Sequence, residues 1–567
     1  MQANNGKTLQ YLLEAVRRCR RAFAVVVLFS LCINLLLLTS PLYMLQIYDR
    51  VLSSRSVETL LYLSFIAVFA FAILGILEVA RSRVLSTVGT WLDRRLAGPI
   101  LSSSIIAGVD QTRPTADAMR DVTTFRTFLA GPSIFPFLDA PWTPIFIVVV
   151  FMLHPMLGWL ALGGAVVLFS LAILNEIATR GPLGRAGQSS KDAMRDAESA
   201  VRNADVVEAM GMMPNLIARW SEKNAETLKL QERASNRSGA ITAVSKFVRQ
   251  GLQLGVLGVG AWLVLQNELT PGGMIAGSIL MSRALAPVEQ AIGSWRSFVA
   301  ARQAYRRIKQ RLTDTPTRGE QMSLPRPAGT LSVEAVSYAY PGSKELGLRN
   351  ISFKLEPGES MGLIGPTAAG KTTLAKILVG NLRPQHGHAR LDGADLNEWD
   401  PEDRGRHIGY LPQDTELFNG TARENIARMG EGNPAQIIDA ARLADVHEMI
   451  LALTEGYETD IGDDGAILSG GQRQRVGLAR AIYGEPAFVV LDEPASSLDQ
   501  IGEQALLNTL AALRQLKSTT IVIAHRPNIL QLVDKILILR DGQVAEFGPR
   551  DEILAKVVAP GARQAAE

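Results

Sequence analysis

The stretch GPTAAGKTT at residues 365–373 satisfies GxxxxGK[ST], with Gly365, Gly370, Lys371 and Thr372 at the defining positions. An apolar run, Met361 to Ile364, precedes it, and a helix-like segment, Leu374 to Leu378, follows. That strand, loop, helix context is what phosphate binding requires. Glycines let successive backbone N–H groups curl around a phosphate with no Cβ in the way, and the helix N-terminus adds partial positive charge. Pro366, Thr367, Ala368, Ala369 and Thr373 complete the cradle, Lys371 is aimed at the β- and γ-phosphates, and the Thr372 hydroxyl is placed to ligate Mg²⁺. Further along, the apolar run Phe488 to Leu491 reads as a buried parallel strand ending in Asp492 and Glu493. The first carboxylate is positioned to hold the metal ion and the second to orient or deprotonate an attacking water.

With the remaining motifs in order, the chain resembles the ATP-binding cassette (ABC) family over essentially its whole length. Tyr340 in SYAYPG is similar to the aromatic residue that stacks on adenine, and Gln413 in YLPQD to the Q-loop glutamine, which contacts Mg²⁺ and senses the membrane domain. Ser469, Gly470, Gly471 and Gln472 match the signature loop, Asp499 in SSLD the D-loop, and His525 in IAHR the switch histidine at the γ-phosphate. The resemblance implies ATP and Mg²⁺ as cofactors. Glu493, His525, Gln413 and Lys371 are the implied catalytic set, and Thr372, Gln413 and Asp492 the implied metal set. The signature loop in this family caps the nucleotide bound by the opposite subunit, so one copy of each loop implies two chains, expected to be identical. The other histidines, His154, His386, His388, His407 and His447, have no paired spacing and read as structural or solvated.

The rest of the chain must position and use this site. At 567 residues it is too long for one core, and 47% hydrophobic residues with a positive mean hydropathy point to a membrane portion. A net charge of +3 gives no reason to expect nucleic acid as a partner. Ala22 to Tyr48 has no Asp, Glu, Lys, Arg or His in 27 residues, enough to cross ~30 Å of hydrocarbon. Thr59 to Leu77, Pro155 to Asn175 and Gly251 to Asn267 are likewise free of these residues, and Ala140 to Leu153 joins an upstream apolar segment around Asp139. A sixth span is expected from about Leu269, interrupted by Arg283 and Glu289; Asp139 and Arg283 are the candidates for lining a path. Arg17, Arg18, Arg20 and Arg21 before the first span place the N-terminus in the cytoplasm, and six spans return the chain there. Cys19 and Cys32 are too few and too poorly placed for a disulfide framework.

The expected organisation is therefore a cytoplasmic segment at 1–21, a six-span helical domain at 22–312 with two long cytoplasmic hairpins, a Pro/Gly-containing linker at 313–329, an α/β P-loop ATPase domain at 330–556 and a tail at 557–567. The resemblance gives this the type I/IV ABC exporter fold, with Asp117 to Arg126 and Val206 to Met213 as candidate coupling helices. SPLYMLQIYDRVLSSRSVETL, DAPWTPIF (139–146) and GPTAAGKTT are similar to the inner-membrane ATPases of type I secretion systems, in particular the alkaline-protease-exporting branch. That resemblance implies a periplasmic membrane-fusion adaptor, an outer-membrane channel, and as cargo an unfolded polypeptide bearing a C-terminal signal. It also implies a multi-pass protein of the bacterial inner membrane, in contact with lipid. The alternative is an exporter of lipid or small molecules working without an adaptor.

Overall fold

The computed structural model describes residues 5–109, 117–314, 324–343, 345–462, 465–524 and 526–555. The chain divides into two compact units, residues 1–106 with 115–317 in the first and 107–114 with 318–567 in the second.

The first unit is helical. Helix α1 (Asn5–Leu36) begins well before the first apolar span, so the basic residues Arg17, Arg20 and Arg21 continue it rather than forming a separate segment. After a two-residue break, α2 (Thr39–Gln46) carries Pro41 and runs into a π-helical turn, Ile47–Val51. Arg55, in the left-handed conformation, turns the chain into α3 (Val57–Val109). Next come α4 (Asp117–Ala130), α5 (Thr143–Leu153), α6 (Pro155–Arg202), a short α7 (Ala204–Ala209), α8 (Met213–Leu265), α9 (Pro271–Gly293) and α10 (Trp295–Asp314). Between α4 and α5 the prolines at 132, 136, 141 and 144 cut the backbone into short helical pieces, because each lacks the N–H that a continuous helix needs.

Among the described residues, five helical stretches are long and apolar enough to cross a membrane: Cys19–Ser54, Val57–Val109, Pro132–Leu153, Pro155–Arg202 and Met213–Leu265. The expected sixth span forms α9, which is outside that set. Its small and apolar face is instead enclosed by other helices, with Gly272, Gly273, Ala276, Gly277, Leu280, Met281, Ala284 and Leu285 all buried. A helix surrounded by protein needs less lipid-facing apolar surface, which is why Arg283 and Glu289 are tolerated. Around it lie Phe146, Val150, Leu157, Leu168, Val256 and Leu263. Glycines permit the close approach: a Cβ at Gly164 would fall 2.5 Å from Leu252, and one at Gly260 would fall 2.7 Å from Met274. The 53-residue helices α3 and α8 are about 80 Å long at 1.5 Å per residue, so their polar ends extend far beyond a ~30 Å hydrocarbon layer.

Several charges between the helices of this unit are paired, and this corrects one expectation. Asp139 does not offer a free carboxylate to a path. It accepts from Arg81 at 2.8 Å and from Asn34 at 3.3 Å, while the Arg81 guanidinium also donates to Ser30 at 3.0 Å and sits 4.4 Å over the Phe135 ring. Glu289 is taken by Arg249. Arg283 is exposed and forms no ion pair among the described residues. The candidate Asp117 to Arg126 falls within the short helix α4, which begins at Asp117. It is packed along α10 by a bidentate Asp121–Arg307 pair at 2.7 and 2.8 Å and by Phe125 against Tyr305. Val206 to Met213 spans the end of α7, the left-handed Gly211 and the start of α8. At the opposite end of the bundle, Asp49 in the π-helical turn caps α9, accepting from Gly272 N–H at 2.9 Å and the Thr270 hydroxyl at 2.6 Å.

The second unit contains a four-stranded antiparallel sheet, β2-β1-β4-β5, built from β1 (Leu331–Tyr338), β2 (Leu348–Leu355), β4 (His386–Leu391) and β5 (Ala394–Asp395). A second sheet runs β10-β9-β3-β8-β7-β6, from β3 (Ser360–Ile364), β6 (Ile408–Leu411), β7 (Phe488–Asp492), β8 (Thr519–Ile523), β9 (Lys535–Arg540) and β10 (Gln543–Pro549). All its pairings are parallel except β9 with β10. β7 and β8 are buried at every position, including Asp492 at the end of β7 and the two threonines that open β8. The expected tail at 557–567 and most of the expected linker lie outside the described residues.

The Arg81–Asp139 pair makes a direct stability test. Asp139→Leu leaves the buried Arg81 cation without its counter-charge and should destabilise the detergent-purified protein by about 3 kcal/mol, read as a lower thermal midpoint. Adding Arg81→Leu should recover much of that loss.

Candidate functional site: a phosphate loop facing a buried carboxylate

β3 delivers the chain into the loop 365–370, and α11 (Lys371–Leu378) leaves it. Two glycines are fixed by space as well as by conformation. A Cβ at Gly365 would lie 2.2 Å from the Leu539 carbonyl, and Gly370, at φ 98°, would place one 2.7 Å from Leu348. The loop thus closes tightly against β2 and β9. The Lys371 ammonium is buried and donates to the carbonyls of Gly365 (2.8 Å) and Pro366 (3.1 Å), so its charge lies inside the loop. Tyr340 bonds through its hydroxyl to Thr373 at 2.9 Å and packs edge-on against Tyr338. This fixes an aromatic ring beside the first turn of α11.

At the end of β7, Asp492 is fully buried, and neither carboxylate oxygen has a hydrogen-bond partner. Burial raises its pKa and the neighbouring Glu493 charge adds to this, while the nearby Thr372 hydroxyl, Lys371 and Lys376 act the other way. Burial, and after it the Asp492 charge, raises the pKa of the Tyr410 hydroxyl. A carboxylate in such surroundings fits a divalent cation, which would neutralise it; Thr372 stands close enough to supply a second oxygen. Mg²⁺ carried in with a nucleotide matches this donor set of hard oxygens.

Glu493 has φ 51°, an uncommon conformation for a side-chain-bearing residue. Its N–H donates to the Ile523 carbonyl at 3.1 Å, and its carboxylate accepts from Gln413 at 3.2 Å. The structure therefore brings together the residue expected to handle the attacking water and the one expected to contact Mg²⁺ and sense the membrane domain. It also reveals a residue that sequence reasoning passed over. Gln474, 3% exposed on α12 (Gly470–Ile482), donates to the Glu493 carbonyl and the Ser496 hydroxyl, both at 3.2 Å, and accepts from Ser497 N–H at 3.1 Å. One amide thus clamps the turn that carries Glu493. Only its place two residues after Gln472 in LSGGQRQR could have drawn attention to it.

Ser469 is the N-cap of α12. Its hydroxyl accepts from Gln472 N–H at 3.3 Å, and the Gln472 side chain accepts from Ser469 N–H at 2.8 Å, a reciprocal capping box. The glutamine of the signature is thereby used to build the helix start, presenting Gly470 and Gly471 at a positive dipole end. Asp499 caps α13 (Gln500–Gln515), accepting from Gly502 N–H at 2.8 Å. His525 lies outside the described residues.

The buried charge at Asp492 yields a prediction with a sign. A carboxyl whose folded pKa is raised favours the fold at acid pH and weakens it as pH rises through that pKa. Asp492→Asn should therefore raise the thermal midpoint of the nucleotide-free protein at neutral pH, and abolish most of the further rise that Mg²⁺ with ATP gives the wild type. An unchanged rise in the variant would exclude Asp492 from the cation site.

Comparison with known proteins agrees with this geometry. Residues 23–288 match the ABC transporter transmembrane region and residues 348–496 match the ABC transporter family model. The chain is 42% identical to the type I secretion system ATP-binding protein PrsD of Rhizobium meliloti (strain 1021), covering 96% of this chain and 94% of that one. It is 29% identical to the leukotoxin translocation ATP-binding protein LktB of Mannheimia haemolytica, over 96% of this chain and 78% of the relative. A solved bacterial Atm1-family ABC exporter with ATP bound has the same fold, with a TM-score of 0.80 at 24% identity over 97% of this chain and 99% of that one. A helical membrane domain, a buried metal-ready carboxylate beside a phosphate loop, and this likeness over nearly the full length lead to one conclusion: the chain belongs to the ABC transporter family, as an exporter that carries its transmembrane region and its ATPase domain in one polypeptide.

Proposed function

We propose that this protein is the energising component of a type I secretion system, using ATP to export an unfolded polypeptide that bears a C-terminal signal. The observation that carries the reading is the 42% identity with a type I secretion ATP-binding protein along almost the whole of both chains, membrane half included. The phosphate site supports it by bringing Lys371 and Thr372 close to Asp492, and Gln413 to Glu493. In this reading the protein is a homodimer in the inner membrane, with its N-terminus and ATPase domain cytoplasmic. It works with a periplasmic membrane-fusion adaptor and an outer-membrane channel.

The residues divide the work as their geometry suggests. Backbone N–H groups of the loop 365–373 and the α11 N-terminus bind the phosphates, and the Lys371 ammonium exchanges its two carbonyl partners for phosphate oxygens. Thr372 and Asp492 would hold Mg²⁺, which when bound offsets negative charge on the phosphates. Tyr340 offers its ring to the adenine. Glu493 orients and deprotonates water, with Gln413 bonded to its carboxylate and His525 assigned to the γ-phosphate. Ser469 and the amides of Gly470 and Gly471 of one chain face the nucleotide held by the other, with Asp499 and Gln472 shaping that surface. Binding then closes the two ATPase domains, and hydrolysis releases them.

Glu493→Gln keeps shape and hydrogen bonding but removes the base. It should bind ATP normally and hydrolyse it about 100-fold or more slowly, with accumulation of a nucleotide-closed dimer by size-exclusion chromatography. Wild-type turnover would remove Glu493 from its role. Lys371→Ala should lose nucleotide binding or turnover. For the transport assignment, cells carrying the protein with adaptor, channel and a signal-bearing polypeptide should secrete that polypeptide only when Lys371 and Glu493 are intact. ATP-dependent lipid movement in liposomes, with no secretion of any polypeptide, would replace this reading by a lipid exporter.

A further inference from the structure

Within the helical unit, α6, α8, α9 and α10 enclose a cavity of about 430 Å³ whose walls include Asn175, Thr179, Ser238, Thr242, Lys246 and Arg296. Its described lining holds two cations and no acidic residue. The carboxylates nearby are already engaged: Glu176 accepts from Trp295 Nε1 at 2.7 Å and from Arg302 at 3.3 Å, and Asp121 is held by Arg307. Lys246 and Arg296 are exposed and form no ion pair among the described residues. Asn175 is fully buried in the cavity wall, yet neither its amide nitrogen nor its oxygen has a hydrogen-bond partner. An unsatisfied buried amide costs about 1–3 kcal/mol, so an occupant that supplies both a donor and an acceptor at that end is favoured.

A second cavity of about 390 Å³ continues the first, sharing Leu183, Gln231 and Arg296 and reaching Arg120 and Lys191. Asn175 and Lys191 are 16 positions apart on α6, about 24 Å at 1.5 Å per residue, which equals about seven residues of extended chain. Pro182, midway, has no N–H for the Ala178 carbonyl, which accepts from Arg237 at 3.2 Å instead. At Gly187 an added Cβ would meet nothing, so the wall presents bare backbone there. A long groove with amides and hydroxyls, and with Lys246 and Arg296 outside any ion pair among the described residues, matches the alternating donors and acceptors of a peptide backbone carrying carboxylate side chains.

We propose that this groove binds an extended, acidic segment of the polypeptide being exported, with Lys246 and Arg296 recognising its carboxylates and Asn175 its backbone. The proposal rests on the polypeptide-export reading. It is tested with the full-length protein in nanodiscs of zwitterionic lipid and a fluorescent eight-residue peptide of alternating aspartate and serine, followed by anisotropy. The lysine-for-aspartate version of the peptide is the control. The aspartate peptide should bind, and Lys246→Glu with Arg296→Glu should weaken it at least tenfold while the thermal midpoint stays within a few degrees of wild type. Asn175→Leu should weaken it as well. Should Asn175→Leu fail to fold, the double charge reversal on the exposed residues still decides the matter.

Unchanged affinity in the double variant, or equal binding of the lysine peptide, overturns the proposal. Loss of peptide binding when phosphatidylglycerol is added to the nanodisc overturns it in favour of a lipid headgroup site. Normal secretion of a signal-bearing polypeptide by the charge-reversed protein sinks the groove while leaving polypeptide export standing. Absence of secretion by the wild type, with adaptor and channel present, sinks export itself.

Discussion

A carboxylate shut inside a protein without a partner is expensive, and the ATPase unit is organised around one. Asp492 ends a strand buried at every position, so water does not solvate it, and the nearby Thr372 hydroxyl offsets that burial only in part. Such a charge is retained where something brought from outside neutralises it. The tightly closed loop at Gly365 and Gly370, the inward Lys371 and the Thr372 hydroxyl set the other side of the same small volume. Ligand binding and completion of the core are here a single event, because the domain is electrostatically unfinished on its own.

The helical unit solves a related problem by different means. There the charges are matched within the chain: Arg81 with Asp139, Arg249 with Glu289, Arg307 with Asp121, and Asp49 with the start of α9. Each pair joins segments far apart in sequence, so the pairs act as cross-ties between helices whose apolar surfaces would otherwise tolerate sliding. α9 gains most from this. It is the least apolar of the spanning candidates and the most enclosed, and its glycines and alanines let neighbours approach closely.

Much of this is legible in the sequence alone. The phosphate loop, the acidic strand end, the signature loop and the five apolar spans are local patterns, in which residue type and spacing suffice. What escaped was long-range. The partners of Asp139 lie 58 and 105 positions away, and no periodicity links Asp139 to Arg81 or Asn34. The role of Gln474 depends on a turn 19 to 23 positions further on. Asp117 to Arg126 has the polarity of a short exposed helix, yet Asp121 is buried because an arginine 186 positions later folds over it. α9 misled in the other direction, since hydropathy measures contact with lipid and α9 is covered by protein.

The left-handed backbone at Glu493 has a consequence for how this site tolerates change. Residues branched at Cβ resist that conformation, so drift at this position is channelled toward glycine, asparagine and other unbranched types by sterics alone. Glycine would relieve the strain but slacken the stretch from 493 to 497 that Gln474 grips. Descendants of this sequence could thus fall silent by two separate routes, one that deletes the acid and one that keeps every motif in place but leaves the acid on softer ground.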